Sequence, residues 1–318
     1  MKKYYLLPLF LLFITLSFSQ KKKSSNNELK SSDLSGLKFR SVGPAFMSGR
    51  IADIAINPEN ENEWYVAVGS GGVWKTSNSG TTWTPIADDQ PFYSTGSITI
   101  DPNNSSRIWL GTGENVGGRH VGIGHGVYMS ENGGKKWNDM GLKSSEHISK
   151  IIVSPKDSNI VFVASQGPLW SPGGDRGLYR TDNGGKTWKN VLNVNKWTGV
   201  TDIAIDHNNP NILYAATWQR HRNVASYMGG GPGTSIYKST DNGISWSEIK
   251  NGLPSSNLGK IGLALSPFDS TILYAAVETD RRNGAIYKTT NSGGSWKKMS
   301  DTVSGATGPH YYQELVAS

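Results

Sequence analysis

The chain runs to 318 residues and carries 38 Gly, 11 Trp and 13 Tyr but no Cys. A chain this long can bury a core without covalent staples, and the missing Cys excludes disulfide scaffolds, thiolate metal sites and Cys nucleophiles. With 18% charged and 36% hydrophobic residues, it fits neither a disordered acidic chain nor a helical membrane bundle.

In chain order, Lys2 and Lys3 precede an apolar run from Tyr4 to Phe18, closed by the small residues Ser17 and Ser19. This pattern predicts a secretory signal peptide over residues 1–19, cut before Gln20, and hence a secreted, periplasmic or cell-surface location. Pro8 and the short run argue against a membrane-spanning helix. Residues 20–36 are rich in Lys, Ser and Asn and are expected to form a flexible linker. The formal charge of +7 falls to +5 without the leader's two lysines and to +3 without the linker. So small and scattered an excess gives no reason to expect nucleic acid as a partner.

From residue 37 to 318 one motif recurs five times. It reads TSNSGTTW at Thr76–Trp83, SENGGKKW at Ser130–Trp137, TDNGGKTW at Thr181–Trp188, STDNGISW at Ser239–Trp246 and TTNSGGSW at Thr289–Trp296. Successive Trp residues are 54, 51, 58 and 50 positions apart. Before each motif come three β-runs in a fixed order. Ile51–Ile56, Trp64–Val68 and Val73–Thr76 form the first set, with the Asn57-Pro58 turn after the first run. A fourth run starts at the motif Trp. Four short strands per unit at a period near 50 predict an all-β fold, a β-propeller of four-stranded blades. Five blades are expected, with Tyr311–Ser318 starting a sixth, so that the sequence reads as part of a larger propeller. Leu37–Val42 is a candidate outer strand for the last blade.

The motif resembles the Asp-box, or BNR repeat, in all five copies. Its hydroxyl and its Asn or Asp bond the turn's own backbone, Gly takes the left-handed position, and Trp covers the turn. Asn78, Trp83, Asn132, Trp137, Asn183, Trp188, Asp241, Trp246, Asn291 and Trp296 are therefore read as structural. Four of the five boxes carry Asn where the box is named for Asp, and an amide does no acid/base chemistry.

Loops between second and third strands share one face with the blade-to-blade connections and vary most, which makes that rim the place to look for a site. Trp170, Trp197 and Trp218 are expected to act there as platforms for a sugar ring or peptide side chain. Arg220, Arg222 and Glu114 are expected to orient polar groups of the ligand. If the chain is an enzyme, Glu114, Asp175, Glu278 and Asp280 are the candidate carboxylates, with Glu314 a further one; glycoside hydrolysis needs two of them facing one bond. Gly185-Lys186-Thr187 lacks the upstream Gly of a phosphate loop, and the six His are scattered. His120 and His125 with Glu114 read as a hydrogen-bonded loop. No cofactor and no metal site are expected.

The opening Phe39–Pro44, Ser48–Arg50 and Gly71–Thr76, with Trp218–Arg220 and the run Gly229–Gly233, resemble the bacterial branch of Asp-box propellers related to the sortilin N-terminal domain. Members are often labelled glycosyl hydrolase-like. The sortilin resemblance implies binding of an extracellular protein, peptide or glycan through one loop face. The label implies a secreted glycoside hydrolase using a rim carboxylate pair. Xyloglucanase-like propellers place a catalytic Asp where this chain has Gly69. Sialidases open on an Arg-bearing segment that Phe39-Arg40 matches only in part, with Ser41 and Val42 breaking it. Neither catalytic pattern transfers, so the expectation is a non-catalytic, sortilin-like binding or scaffold propeller, with the hydrolase as the alternative.

Overall fold

Short alternating runs of β-branched and aromatic residues become strands because each can bury one row of side chains between two sheets. A computed structural model describes residues 30, 33, 35, 36, 50–279, 283–303 and 315–317. The expected signal peptide, nearly all of the linker and the candidate strand Leu37–Val42 lie outside these residues. The segment up to Met47 and the body from Ser48 onward are separate units, and all that follows concerns the second. Among the described residues no helix is long and apolar enough to cross a membrane.

The body is a β-propeller in which five four-stranded antiparallel sheets follow one another in chain order. Blade one comprises Ile51–Ile56, Trp64–Val68, Gly72–Thr76 and Thr84–Pro85, from the innermost strand outward. The inner strands of blades two to five are Thr95–Asp101, Ile148–Ser154, Thr198–Ile205 and Ile261–Leu265. Their second strands are Asn104–Thr112, Asp157–Ser165, Leu213–Gln219 and Leu273–Glu278. A hairpin not expected from the sequence, His221–Arg222 with Tyr227–Met228, stands on the rim of blade four.

Core side chains lie between blades. Tyr65, Ala67 and Val73 of blade one pack on Ile98, Ile100, Ile108 and Leu110 of blade two. The same contact recurs from Trp109 and Val127 to Ile151 and Val163, from Phe162 and Leu178 to Ile203 and Leu213, and from Tyr214 and Ile236 to Leu263 and Leu273. Each fully buried Val, Leu, Ile or Phe among them contributes about 1.5–3 kcal/mol on burial. Two half-buried carboxylates clasp neighbouring inner strands: Asp53 accepts from Ile98 N at 3.0 Å, and Asp202 accepts from Leu263 N at 2.7 Å.

All five repeated turns share one geometry. The leading hydroxyl accepts from the backbone N of the fifth residue, as in Gly80 N to Thr76 Oγ1 at 3.0 Å and Gly243 N to Ser239 Oγ at 2.9 Å. The Asn or Asp Oδ1 accepts from the N–H four residues on, at 2.9 Å for Asn78 and Asp241 and 3.0 Å for Asn183. At the fifth position φ is positive in every copy, from +74° at Gly243 to +87° at Gly293. Glycine is required at Gly243 for a second reason, since an added Cβ would stand 2.3 Å from the Phe162 ring.

Candidate functional site

The loop following the second strand of blade two runs inward across the rim side and is gripped there by other blades. Four consecutive carbonyls accept from side chains of blades three, four and five. His147 Nδ1 donates to Glu114 O at 2.8 Å, and Gln166 Nε2 and Lys260 Nζ donate to Asn115 O at 3.2 and 3.1 Å. Arg220 Nη1 donates to Val116 O at 2.8 Å, and Arg222 Nη2 to Gly117 O at 3.1 Å. A carbonyl can only accept, so His147 carries its proton on Nδ1. Burial, then the charges of Arg220 and Arg176, hold this imidazole well below its usual range. His147 is therefore neutral, and its 3.9 Å approach to Glu146 is not an ion pair. Burial likewise lowers Arg220 to about 9.

This grip corrects three sequence expectations. Trp218 is no open platform: it is buried, its Nε1 donates to Gly229 O at 2.9 Å, and Arg220 and Lys260 lie over its ring. Arg220 and Arg222 are buried and spend their donors on backbone carbonyls rather than facing solvent. Glu114 is sealed as well. Arg50 donates to its Oε1 through Nη2 at 2.6 Å and Nε at 2.7 Å, and Gly122 N donates to Oε2 at 2.9 Å. Its carboxylate fills the space beside Gly69, where an added Cβ would lie 2.5 Å from Oε1.

Trp170 and Trp197 lie on the rim. Trp170 is 45% exposed, and Trp197 is half-buried with its ring 4.2 Å from that of His221. Arg176, which sequence reasoning left unassigned, holds both. Its guanidinium donates to the carbonyls of Gln166, Pro168, Ser171, Gly173 and Trp197, fixing the loop that carries Trp170 to the connection that carries Trp197. Arg222 N donates to Leu169 O at 3.0 Å, and its guanidinium lies 4.3 Å from the Tyr227 ring, so the unexpected hairpin joins the same rim. Gly233 is obligatory beneath it, since a Cβ there would meet Thr198 Oγ1 at 2.2 Å.

The candidate carboxylates do not open together. Glu278 is buried and accepts from Lys260 N at 3.2 Å, while Asp175 is half-buried and accepts from Ser144 N at 2.8 Å. Asp280 and Glu314 lie outside the described residues. Among the described residues no group of three His, Asp or Glu is placed to hold a metal ion. A cavity of about 630 Å³ lies between the inner strands of blades two to five, toward their turns; it is walled by Ile152, Val153, Ile205 and Leu265, with Lys150, Asp206 and His207. None of the expected site residues lines it.

The stacked blades make a β-propeller, and the comparisons with known proteins find the same fold in glycoside hydrolases. The chain is 26% identical over 236 residues to a xyloglucanase of Hypocrea jecorina, and 23% identical over 248 residues to one of Acetivibrio thermocellus. These matches cover 64% and 70% of this chain but only 26% and 28% of the relatives, so the chain spans about a quarter of their length. The crystal structure of a GH74 enzyme of Niastella koreensis superposes with a TM-score of 0.60 at 18% identity, covering 78% of this chain and 38% of that one. No family model matches the chain. These relatives overturn the expectation of a non-catalytic, sortilin-like binder of protein or peptide. That expectation rested on the sortilin resemblance and on two catalytic patterns, including the Asp replaced by Gly69, that did not transfer; the similarity to xyloglucanases over about two thirds of the chain outweighs them.

Proposed function

We propose that the chain is propeller from a secreted glycoside hydrolase of Asp-box architecture that acts on a polysaccharide, with xyloglucan as the substrate class to test first. The similarity to xyloglucanases over roughly two thirds of the chain carries this reading. The rim supports it. Trp170 and the tilted, closely packed Trp197–His221 pair form an aromatic edge suited to sugar rings, and Arg176 holds the loops that carry Trp170 and Trp197 together. Of the candidate carboxylates, Asp175 keeps partial access to this rim, whereas Glu114 and Glu278 position the loops that frame it.

The test is release of reducing ends from xyloglucan and other β-glucans by the natural gene product, with binding scored in parallel. Release of oligosaccharides, with weaker substrate binding in Trp170→Ala, is the expected outcome. Neither binding nor release across the panel would overturn the proposal.

A further inference from the structure

Five non-glycine residues among the described ones have positive φ. Ser79, Asn242 and Ser292 hold one position of the repeated turn, where the sister copies carry Gly133 and Gly184. The other two, Leu142 and Glu146, lie in the connection that enters blade three, at φ +55° and +53°. Gly113 N donates to Ser94 O, Gln166 N to His147 O and Arg220 N to Trp197 O, so Tyr93, Glu146 and Lys196 hold equivalent places just before their inner strands. Neither Tyr93 nor Lys196 has positive φ, so the connection itself does not impose it. Glycine or asparagine would take the left-handed conformation more readily than glutamate does.

The backbone around Glu146 is pinned against the loop that carries Trp170. Ser144 N donates to Asp175 Oδ2 at 2.8 Å, and Asp175 N donates back to Ser144 O at 3.0 Å. A Cβ on Gly174 would stand 2.5 Å from the same Ser144 O. Glu146 O accepts from Gly124 N at 2.8 Å, and the next residue, His147, is anchored to Glu114 O. The side chain has no such anchor. It is 29% exposed on the rim, and its carboxylate accepts no hydrogen bond among the described residues, because the His147 Nε2 at 3.9 Å carries no proton. Burial lowers Arg176 to about 10, and the Glu146 charge raises it in part, which sets the carboxylate near the guanidinium that holds the Trp170 and Trp197 loops.

We infer that Glu146 is a substrate-contacting residue, its carboxylate accepting hydrogen bonds from the hydroxyl groups of a pyranose unit seated on the Trp170 edge. The inference rests on the glycan reading above and adds a specificity determinant to it. A carboxylate offers two oxygens with spare lone pairs and no donor, which suits the donating hydroxyls of a neutral sugar. Hydrogen bonds to an ionised acceptor are the stronger kind, and they form here on a backbone already fixed on both sides. A side chain held in a disfavoured conformation, with its bonding capacity unused by the fold, is what a ligand contact requires.

The test compares Glu146→Gly, Glu146→Gln and Trp170→Ala in the natural gene product, by thermal melting and by titration with xyloglucan oligosaccharides. Glu146→Gly should raise the melting temperature by about 2–4 °C, through relief of the left-handed strain, and weaken binding by about tenfold. Glu146→Gln keeps the shape and the strain but loses the charge, so its melting temperature should hold while its affinity falls. A lower melting temperature in Glu146→Gly would make the side chain structural and overturn the inference. Weaker binding in Trp170→Ala with native affinity in both Glu146 variants would also overturn it, and would leave the glycan reading standing. No binding of xyloglucan or another β-glucan by the unsubstituted protein would overturn both.

Discussion

His147 should make stability fall on mild acidification. Its ring is fully buried, donates from Nδ1 to Glu114 O, and is held neutral by burial and by the Arg220 and Arg176 charges. The unfolded chain takes up a proton at this position below about pH 6.5, which the folded chain refuses. The folded state is therefore penalised as pH falls below about 6.5, with a slope that approaches at most about 1.4 kcal/mol per pH unit for one proton. The assay is urea unfolding across that range for the native protein and for His147→Gln, whose amide N–H replaces the donor without titrating. The native protein should lose stability more steeply than the variant as pH falls, by up to about 1.4 kcal/mol per pH unit. Parallel pH dependences would refute the reasoning. A charged His147 paired with Glu146 would give the opposite sign, with stability gained as pH falls.

Gly243→Ala should cost about 2 kcal/mol or more, because positive φ and the Phe162 ring both oppose a side chain there. Gly173→Ala, with positive φ but open space, should cost about 1 kcal/mol, and thermal melts of the two separate strain from collision. Arg176→Lys removes the planar fork that five carbonyls share. Limited proteolysis should then cut within residues 168–174, and Trp170-dependent glycan binding should weaken with little change elsewhere. Trp170→Ala itself should weaken xyloglucan binding by about tenfold in a titration, the worth of one stacked ring.

The fold was legible because its information is periodic. Each motif satisfies its own turn within eight residues, so Thr76, Asn78, Gly80 and Trp83 announce a hairpin before any partner is known. The rim was only half legible. Trp170 and Trp197 lie in loops, but Trp218, read as a loop aromatic because the second β-run was ended at Ala216, lies in the strand Leu213–Gln219 with a glycine run beyond it. Those glycines instead let the backbone close over its ring. Arg220 and Arg222 were misread, and Arg176 left unassigned, for one reason: their partners are carbonyls, and every residue type carries one. No sequence pattern marks the Glu114–Gly117 backbone as an acceptor for side chains from three other blades.

That four-carbonyl grip alters how the molecule should come apart. A row of blades touching only its neighbours unfolds as a one-dimensional array, able to fray from either end. Linking residues 114–117 to His147, Gln166, Arg220, Arg222 and Lys260 ties blade two directly to blades three, four and five. Peeling blade five away strips one of the two donors from Asn115 O, and losing blade four unmakes two more bonds, so partial unfolding is penalised early. Blades two to five should therefore melt as one cooperative unit, and the slow step of refolding should be the docking of this loop once all four sheets are in place.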